Sequence, residues 1–172
     1  MIPRIKNVLY ATDLSKNSAY AFRFAVNTAQ QHDAQIHLLY VIEPLSPQEE
    51  ALVLTYVKKE EIDQRRSDAK ENLRRRIEER LKQFAERELK DDPETLNRVV
   101  GVHIVEGDPA TDILNMAEKL SSDVVIMGTH GKGVLRHAFL GSVAEKVLRR
   151  IRKPVYVIPL PEGETDITLG EI

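Results

Sequence analysis

Short apolar bursts alternate with longer amphipathic stretches along this chain. Residues 5–11 (IKNVLYA) make a strand-like run that ends at Thr12-Asp13. Ser15 or Asn17 can cap the helix that follows, because their side chains accept hydrogen bonds from first-turn N–H groups that lack a helical partner. That helix extends to about Gln31 and sets Ala19, Phe22, Val26 and Ala29 on one face. Gln35–Ile42 (QIHLLYVI) is a second strand, stopped by Glu43-Pro44 because proline cannot donate to a ladder. The segment 44–57 has no single reading: its prolines favour a loop, whereas ALVLTYV fits a helical turn or a strand. Residues 58–90 are helical in pattern, with Ile62, Ala69, Leu73, Ile77, Leu81 and Phe84 forming an apolar stripe.

A third strand, 98–105, is interrupted by Gly101. Gly107-Asp108-Pro109 then reads as turn, N-cap and first-turn proline, opening a helix that carries Ile113, Met116, Ala117 and Leu120. Residues 123–127 (DVVIM) are nearly all apolar, the pattern of a strand buried on both faces. A glycine-rich segment, a helix from Ser142 to about Arg150 and a last strand at 154–158 complete the order. Five strands alternating with four helices predict an α/β fold, a single doubly wound open parallel sheet with helices on both faces. Residues 1–160 are expected to form one domain, followed by a polar tail at 161–172. In such sheets ligands lie beyond the carboxyl ends of the strands, where the strand order reverses. No internal repeat is visible.

Composition narrows the function without naming it. The 172 residues are 42% hydrophobic and 30% charged, with a net charge of −2, so the basic excess of a general nucleic-acid binder is missing. No apolar run nears the roughly 20 residues that cross a bilayer, and the start does not read as a signal peptide. With no cysteine in the chain, thiolate metal sites, disulfides and cysteine nucleophiles are excluded. The expectation is a cytoplasmic protein with no membrane or nucleic-acid partner. Arg74, Arg75 and Arg76 offer a basic docking patch on one reading; interleaved Glu71, Glu78 and Glu79 make a solvated helix face the better one.

The informative chemistry lies in 127–143, MGTHGKGVLRHAFLGSV. Gly128 ends the buried strand, Gly131 follows three residues on, and Gly141-Ser142 stands ten beyond that. Glycines admit close approach of backbone N–H groups to phosphate oxygens, and a helix starting at Ser142 aims N–H groups and the positive end of its dipole at an anion. Lys132, Arg136, His130 and His137 add cationic or proton-donating groups nearby. Gly131-Lys132-Gly133 does not supply the Gly-Lys-Ser/Thr ending of a Walker A loop. A dinucleotide fingerprint would need glycine where Arg136 stands, after the first strand rather than the fourth. His37 and His103 sit within strand patterns and read as structural, and neither His130 nor His137 has a recognisable carboxylate partner for general-base work.

This segment resembles the Gly-x2-Gly-x9-Gly-Ser/Thr signature of the ATP-binding branch of the universal stress protein family. NVLYATDLSKNSAYAFRFA, GDPATDIL, SDVVIMGTHG and LGSVAEKVLRRIRKPVYVIP are similar to its opening, third-helix and closing segments. The resemblance implies the strand order 3-2-1-4-5 and an adenine nucleotide, ATP first, as ligand. By position it implies that Thr12 and Asp13 lie near the nucleoside, with Asp13 on the ribose or a divalent ion such as Mg2+. It implies that Val41 presents backbone to the adenine. Met127, Gly128, His130, Gly131, Gly141, Ser142 and Val143 fall on the phosphate loop, with His130 at a variable position. Leu14 departs from the glycine or small residue of many members. The resemblance also implies a homodimer through the edge strand Val155–Ile158; alternatively Pro154 and Pro159 simply protect that edge. Three functions stay open: a nucleotide-bound switch with slow or no hydrolysis, a nucleotide-free interaction module, and an ATP-consuming transfer enzyme.

Overall fold

The computed structural model describes residues 2–56, 59–129 and 140–159, with the backbone alone for Lys16, Glu50, 53–56 and 59–67. Five strands, β1 (Asn7–Thr12), β2 (Gln35–Ile42), β3 (Val99–Glu106), β4 (Val124–Gly128) and β5 (Val155–Ile158), form one sheet in the order β3-β2-β1-β4-β5. Every pairing is parallel. The long helices between them are α1 (Lys16–His32), α3 (Lys59–Glu88), α5 (Pro109–Lys119) and α6 (Ser142–Arg150).

Strand parity sorts the core into two layers, since successive side chains leave a strand on opposite faces. Val8 and Tyr10 of β1 join Phe22 and Ala25 of α1 and Leu81 and Phe84 of α3. Leu9 and Ala11 of the same strand join Ile113 and Met116 of α5 and Val147 of α6. The chain adds strands in one direction from β1 to β3, then returns across the sheet to β4 and β5. Crossovers of constant hand must change face when that direction reverses, which is why α1 and α3 cover one face and α5 and α6 the other.

Two further helices join the four expected ones. Segment 44–57 contains α2 (Pro47–Tyr56). Its start is a capping box: Glu49 N–H donates to Ser46 Oγ at 3.3 Å, while Ser46 N–H donates to Glu49 Oε2 at 2.8 Å. The short α4 (Pro93–Leu96) is capped by Asp92, which accepts from Thr95 N–H at 3.0 Å. The caps at Ser15 and Asp108 fall where the sequence puts them.

Among the described residues, the apolar stripe on α3 is buried only in its carboxyl-terminal part. Ile77, Leu81, Phe84, Ala85 and Leu89 are buried, but Ala69 is exposed and Leu73 retains 44% exposure. Length is the reason. Thirty helical residues span about 45 Å, whereas an eight-residue strand covers about 26 Å. The helix therefore overshoots the sheet at its amino-terminal end, where Lys70 Nζ meets both oxygens of Glu106 at 2.8 and 2.9 Å. Arg74, Arg75 and Arg76 are all exposed on this helix.

Gly101 does not break β3. The pairing with β2 slips one residue between Ile36↔Val99 and His37↔Gly101, leaving Val100 as the extra residue of a bulge with 47% exposure.

Candidate functional site

The strand order reverses between β1 and β4, so their carboxyl ends border the crevice in which a doubly wound sheet takes a ligand. Thr12 closes β1 and Gly128 closes β4. The turn after β1 is tightly wired. Thr12 Oγ1 accepts from Leu14 N–H at 3.0 Å and donates to Ser18 Oγ at 2.9 Å, which ties the turn to the first helical turn of α1. Asp13 Oδ1 accepts from Ser15 N–H at 3.0 Å, an Asx turn that fixes a half-buried carboxylate at the strand end. Ser15, not Asp13 or Asn17, is the N-cap of α1, accepting from Ser18 N–H.

Leu14 has φ 63°, in the left-handed region. A non-glycine residue there costs about 1–2 kcal/mol, and glycine would adopt it freely. Leu14 packs against the α1–α3 core layer, a contact that glycine would not make. The departure from the family pattern is thus a matter of backbone conformation as well as of packing.

On β4 the structure gives Gly128 a packing role. A Cβ there would meet Asn17 Nδ2 at 2.8 Å and Asn17 Cγ at 3.0 Å, and its φ lies outside the left-handed region. The missing side chain lets the start of α1 approach the end of β4, where Asn17 Nδ2 donates to Thr129 Oγ1 at 3.3 Å. Sequence reasoning offered Asn17 only as a possible helix cap, and nothing in its local pattern points to this contact, which spans 112 positions.

Beyond β4, Thr129 N–H donates to Ile158 O at 3.0 Å, and Gly141 N–H donates to Thr129 O at 2.7 Å. The second bond pins the far end of the glycine-rich segment to its beginning. His130, Gly131, Lys132, Arg136 and His137 lie outside the described residues. Gly141 is the N-cap of α6 and offers no side-chain hydrogen bond, so the first turn of that helix carries no side-chain cap. Ser142 is exposed at this start and Val143 is half-buried. Met127 is buried against the α5–α6 layer, which leaves its backbone, not its side chain, to face a ligand. Val41 also belongs to that layer and pairs with Val105 near the end of β2.

The structure thus brings Thr12, Asp13, Gly128 and Gly141 to the carboxyl edge around β1 and β4, with Val41 on the next strand. Among the described residues, no cluster of three or more His, Cys, Asp or Glu side chains is set to hold a metal ion. In the same set, no helix is long and apolar enough to cross a membrane.

Comparison with known proteins agrees with this architecture. The profile of the Universal stress protein family matches residues 4–159. Universal stress protein MJ0531 of Methanocaldococcus jannaschii is 32% identical over 162 residues, covering 92% of this chain and 85% of that protein. Universal stress protein MJ0577 of the same organism is 28% identical, covering 89% of this chain and 94% of that protein. A solved structure of MJ0577 superposes with a TM-score of 0.69 at 26% identity, covering 94% of this chain and 100% of that one. A universal stress protein solved in complex with cAMP shares the fold, with a TM-score of 0.54 at 19% identity, covering 91% of this chain and 98% of that one. The chain belongs to the universal stress protein family.

Proposed function

We propose that this chain binds ATP or a related adenine nucleotide at the carboxyl ends of β1 and β4. The nucleotide acts there as a bound switch and is hydrolysed slowly or not at all. The observation that carries this reading is the helix start at Gly141-Ser142, tied to the end of β4 by Gly141 N–H and Thr129 O and without a side-chain cap. An uncapped first turn leaves N–H donors for an anion, and the helix dipole adds to the attraction. Gly141, Ser142 and Val143 supply those donors and a hydroxyl, with Gly131 and His130 on the same segment. Thr12 and Asp13 face the nucleoside, Val41 and Met127 contribute backbone, and Asp13 is the residue to share Mg2+ with the phosphates. The domain that does this is 1–160, in the cytoplasm.

Mass spectrometry of small molecules released from the purified, denatured chain tests the reading. ATP or ADP is expected from the natural sequence and not from Gly131→Val/Ser142→Ala. If neither protein carries nucleotide and ATP with Mg2+ gives no thermal shift, the claim fails.

One observation favours a second reading, a nucleotide-free interaction module. The space at Gly128 is taken up by Asn17, so that glycine is accounted for without any phosphate.

We further propose that the protein works as a homodimer paired through β5. This strand is a sheet edge, and Tyr156 on it keeps 40% exposure. Pro154 and Ile158 direct their carbonyls to Val125 and Thr129 of the β4 side. Strand alternation therefore turns the N–H of Val157 towards the open edge. Val157→Pro removes that donor while sparing the bonds to β4, so it is expected to sediment as a monomer; an unchanged sedimentation coefficient would refute the dimer.

A further inference from the structure

His37 and His103 meet on the face of the sheet covered by α5 and α6, far in sequence from the glycine-rich segment. His37 Nδ1 lies 3.2 Å from His103 Nε2, with ring centroids 5.3 Å apart and planes inclined by 42°. The bulge at Val100 creates this meeting, because the slip in register sets Gly101 opposite His37 and His103 two pairs further on, on the same face. Gly101 then leaves the space for the two ring nitrogens. A Cβ at this position would stand 2.8 Å from His103 Nε2 and 3.1 Å from His37 Nδ1.

We propose that His37 and His103 form a two-imidazole site for a divalent transition-metal cation of the Zn2+, Ni2+ or Cu2+ class, with water completing the coordination. The separation fits this role. At a metal–nitrogen distance of about 2.0–2.1 Å, nitrogens 3.2 Å apart subtend about 100° at the ion, near the tetrahedral angle. Both rings are half-buried, so one side is packed while solvent reaches the pair.

The electrostatic setting selects the ligating form. Burial holds both imidazoles below the ordinary histidine range, and for His103 the His37 ring and Lys119 act in the same direction. Neutral imidazole is the form that binds transition metals, and nitrogen ligands favour these ions over Mg2+ or Ca2+. In the metal-free chain, one ring donates its N–H to the other. When the ion binds, the donating ring gives up that proton at the facing nitrogen and takes one from solvent at its other nitrogen, so both ligands remain neutral imidazoles and no net proton is released. Two protein ligands make a weaker site than a four-ligand structural one. Lys119 from α5 opposes the incoming cation.

The test uses Zn2+ alone, added to the full chain in a His130→Gln/His137→Gln background that removes the imidazoles of the glycine-rich segment. Calorimetry is expected to show one ion per chain, with affinity at least tenfold weaker after His37→Gln or His103→Gln. Lys119→Gln is expected to tighten binding. Imidazole 1H–15N spectra supply a check on that background without altering either proposed ligand. Zn2+ is expected to shift the His37 and His103 resonances together and leave His32 unmoved. No binding, binding unchanged in the His37 and His103 variants, or a shift at only one of the two rings would overturn the proposal. These readouts are independent of nucleotide, so they stand whatever the fate of the ATP site.

Discussion

Phe22→Ala is expected to remove about 3–5 kcal/mol of folding stability. Phe22 is fully buried on α1, with its ring 5.2 Å from that of Tyr10 on β1 and 5.0 Å from that of Phe84 on α3. It packs against both the sheet and α3. Truncation loses the transfer free energy of the ring and two aromatic pairings, each worth about 0.5–1.5 kcal/mol. The cavity cannot easily close from the sheet side. Tyr10 Oη donates to Ser18 O at 2.5 Å, which holds the ring in place, and burial pushes its phenol well above its usual range. Domains of this size have only about 5–15 kcal/mol in total, so the variant should sit near the margin. In urea, with a slope of about 1–3 kcal/mol per molar, the midpoint should fall by about 1–5 M. A midpoint within about 0.5 M of the natural chain would show that this junction is not the core's keystone.

The second large effect is expected at Gly128. Gly128→Ala places a Cβ 2.8 Å from Asn17 Nδ2, and relief requires the start of α1 or the Asn17 side chain to move. Overpacking of this kind costs about 1–3 kcal/mol. The displacement also disturbs the Asn17–Thr129 hydrogen bond and, through Thr12 and Ser18, the turn that carries Asp13. The pair Gly128→Ala/Asn17→Ala separates packing from phosphate contact. Chemical denaturation is expected to show the double variant recovering at least half of the loss caused by Gly128→Ala alone. Failure to recover would mean that the glycine serves something other than the approach of α1. Measuring ATP retention on the same two proteins then asks whether the nucleotide follows stability or Gly128 itself.

Much of this fold was written locally. The short apolar run VLYA and the all-apolar VVIM read as strands, their alternation with helices predicts a parallel sheet, and Gly-Asp-Pro at 107–109 announces the start of α5. Such features depend on neighbours within a turn or a strand, so a single sequence displays them. The capping box at Ser46 and Glu49 was equally local, yet two prolines nearby left the segment without a single reading. Proline at the first helical position is compatible with a helix, and Pro47 stands there. The stripe on α3 shows the opposite limit. Its apolar spacing runs from Ile62 to Phe84, but among its described side chains Ala69 and Leu73 stay exposed and only those from Ile77 onward are buried.

By itself, then, the sequence determined the α/β class, the parallel sheet, its two-layered core, and the glycine-rich segment that carries the family resemblance. Tertiary structure alone decided which positions meet across long separations. It placed Asn17 in the space at Gly128, put Leu14 in the left-handed region, left Ala69 and Leu73 of α3 exposed, and brought His37 to His103 through a one-residue slip in register. The physical reason is one of range. Periodicity and capping are set by neighbours a few residues apart, whereas close approach depends on how strands of fixed spacing and helices of fixed rise fit together in three dimensions.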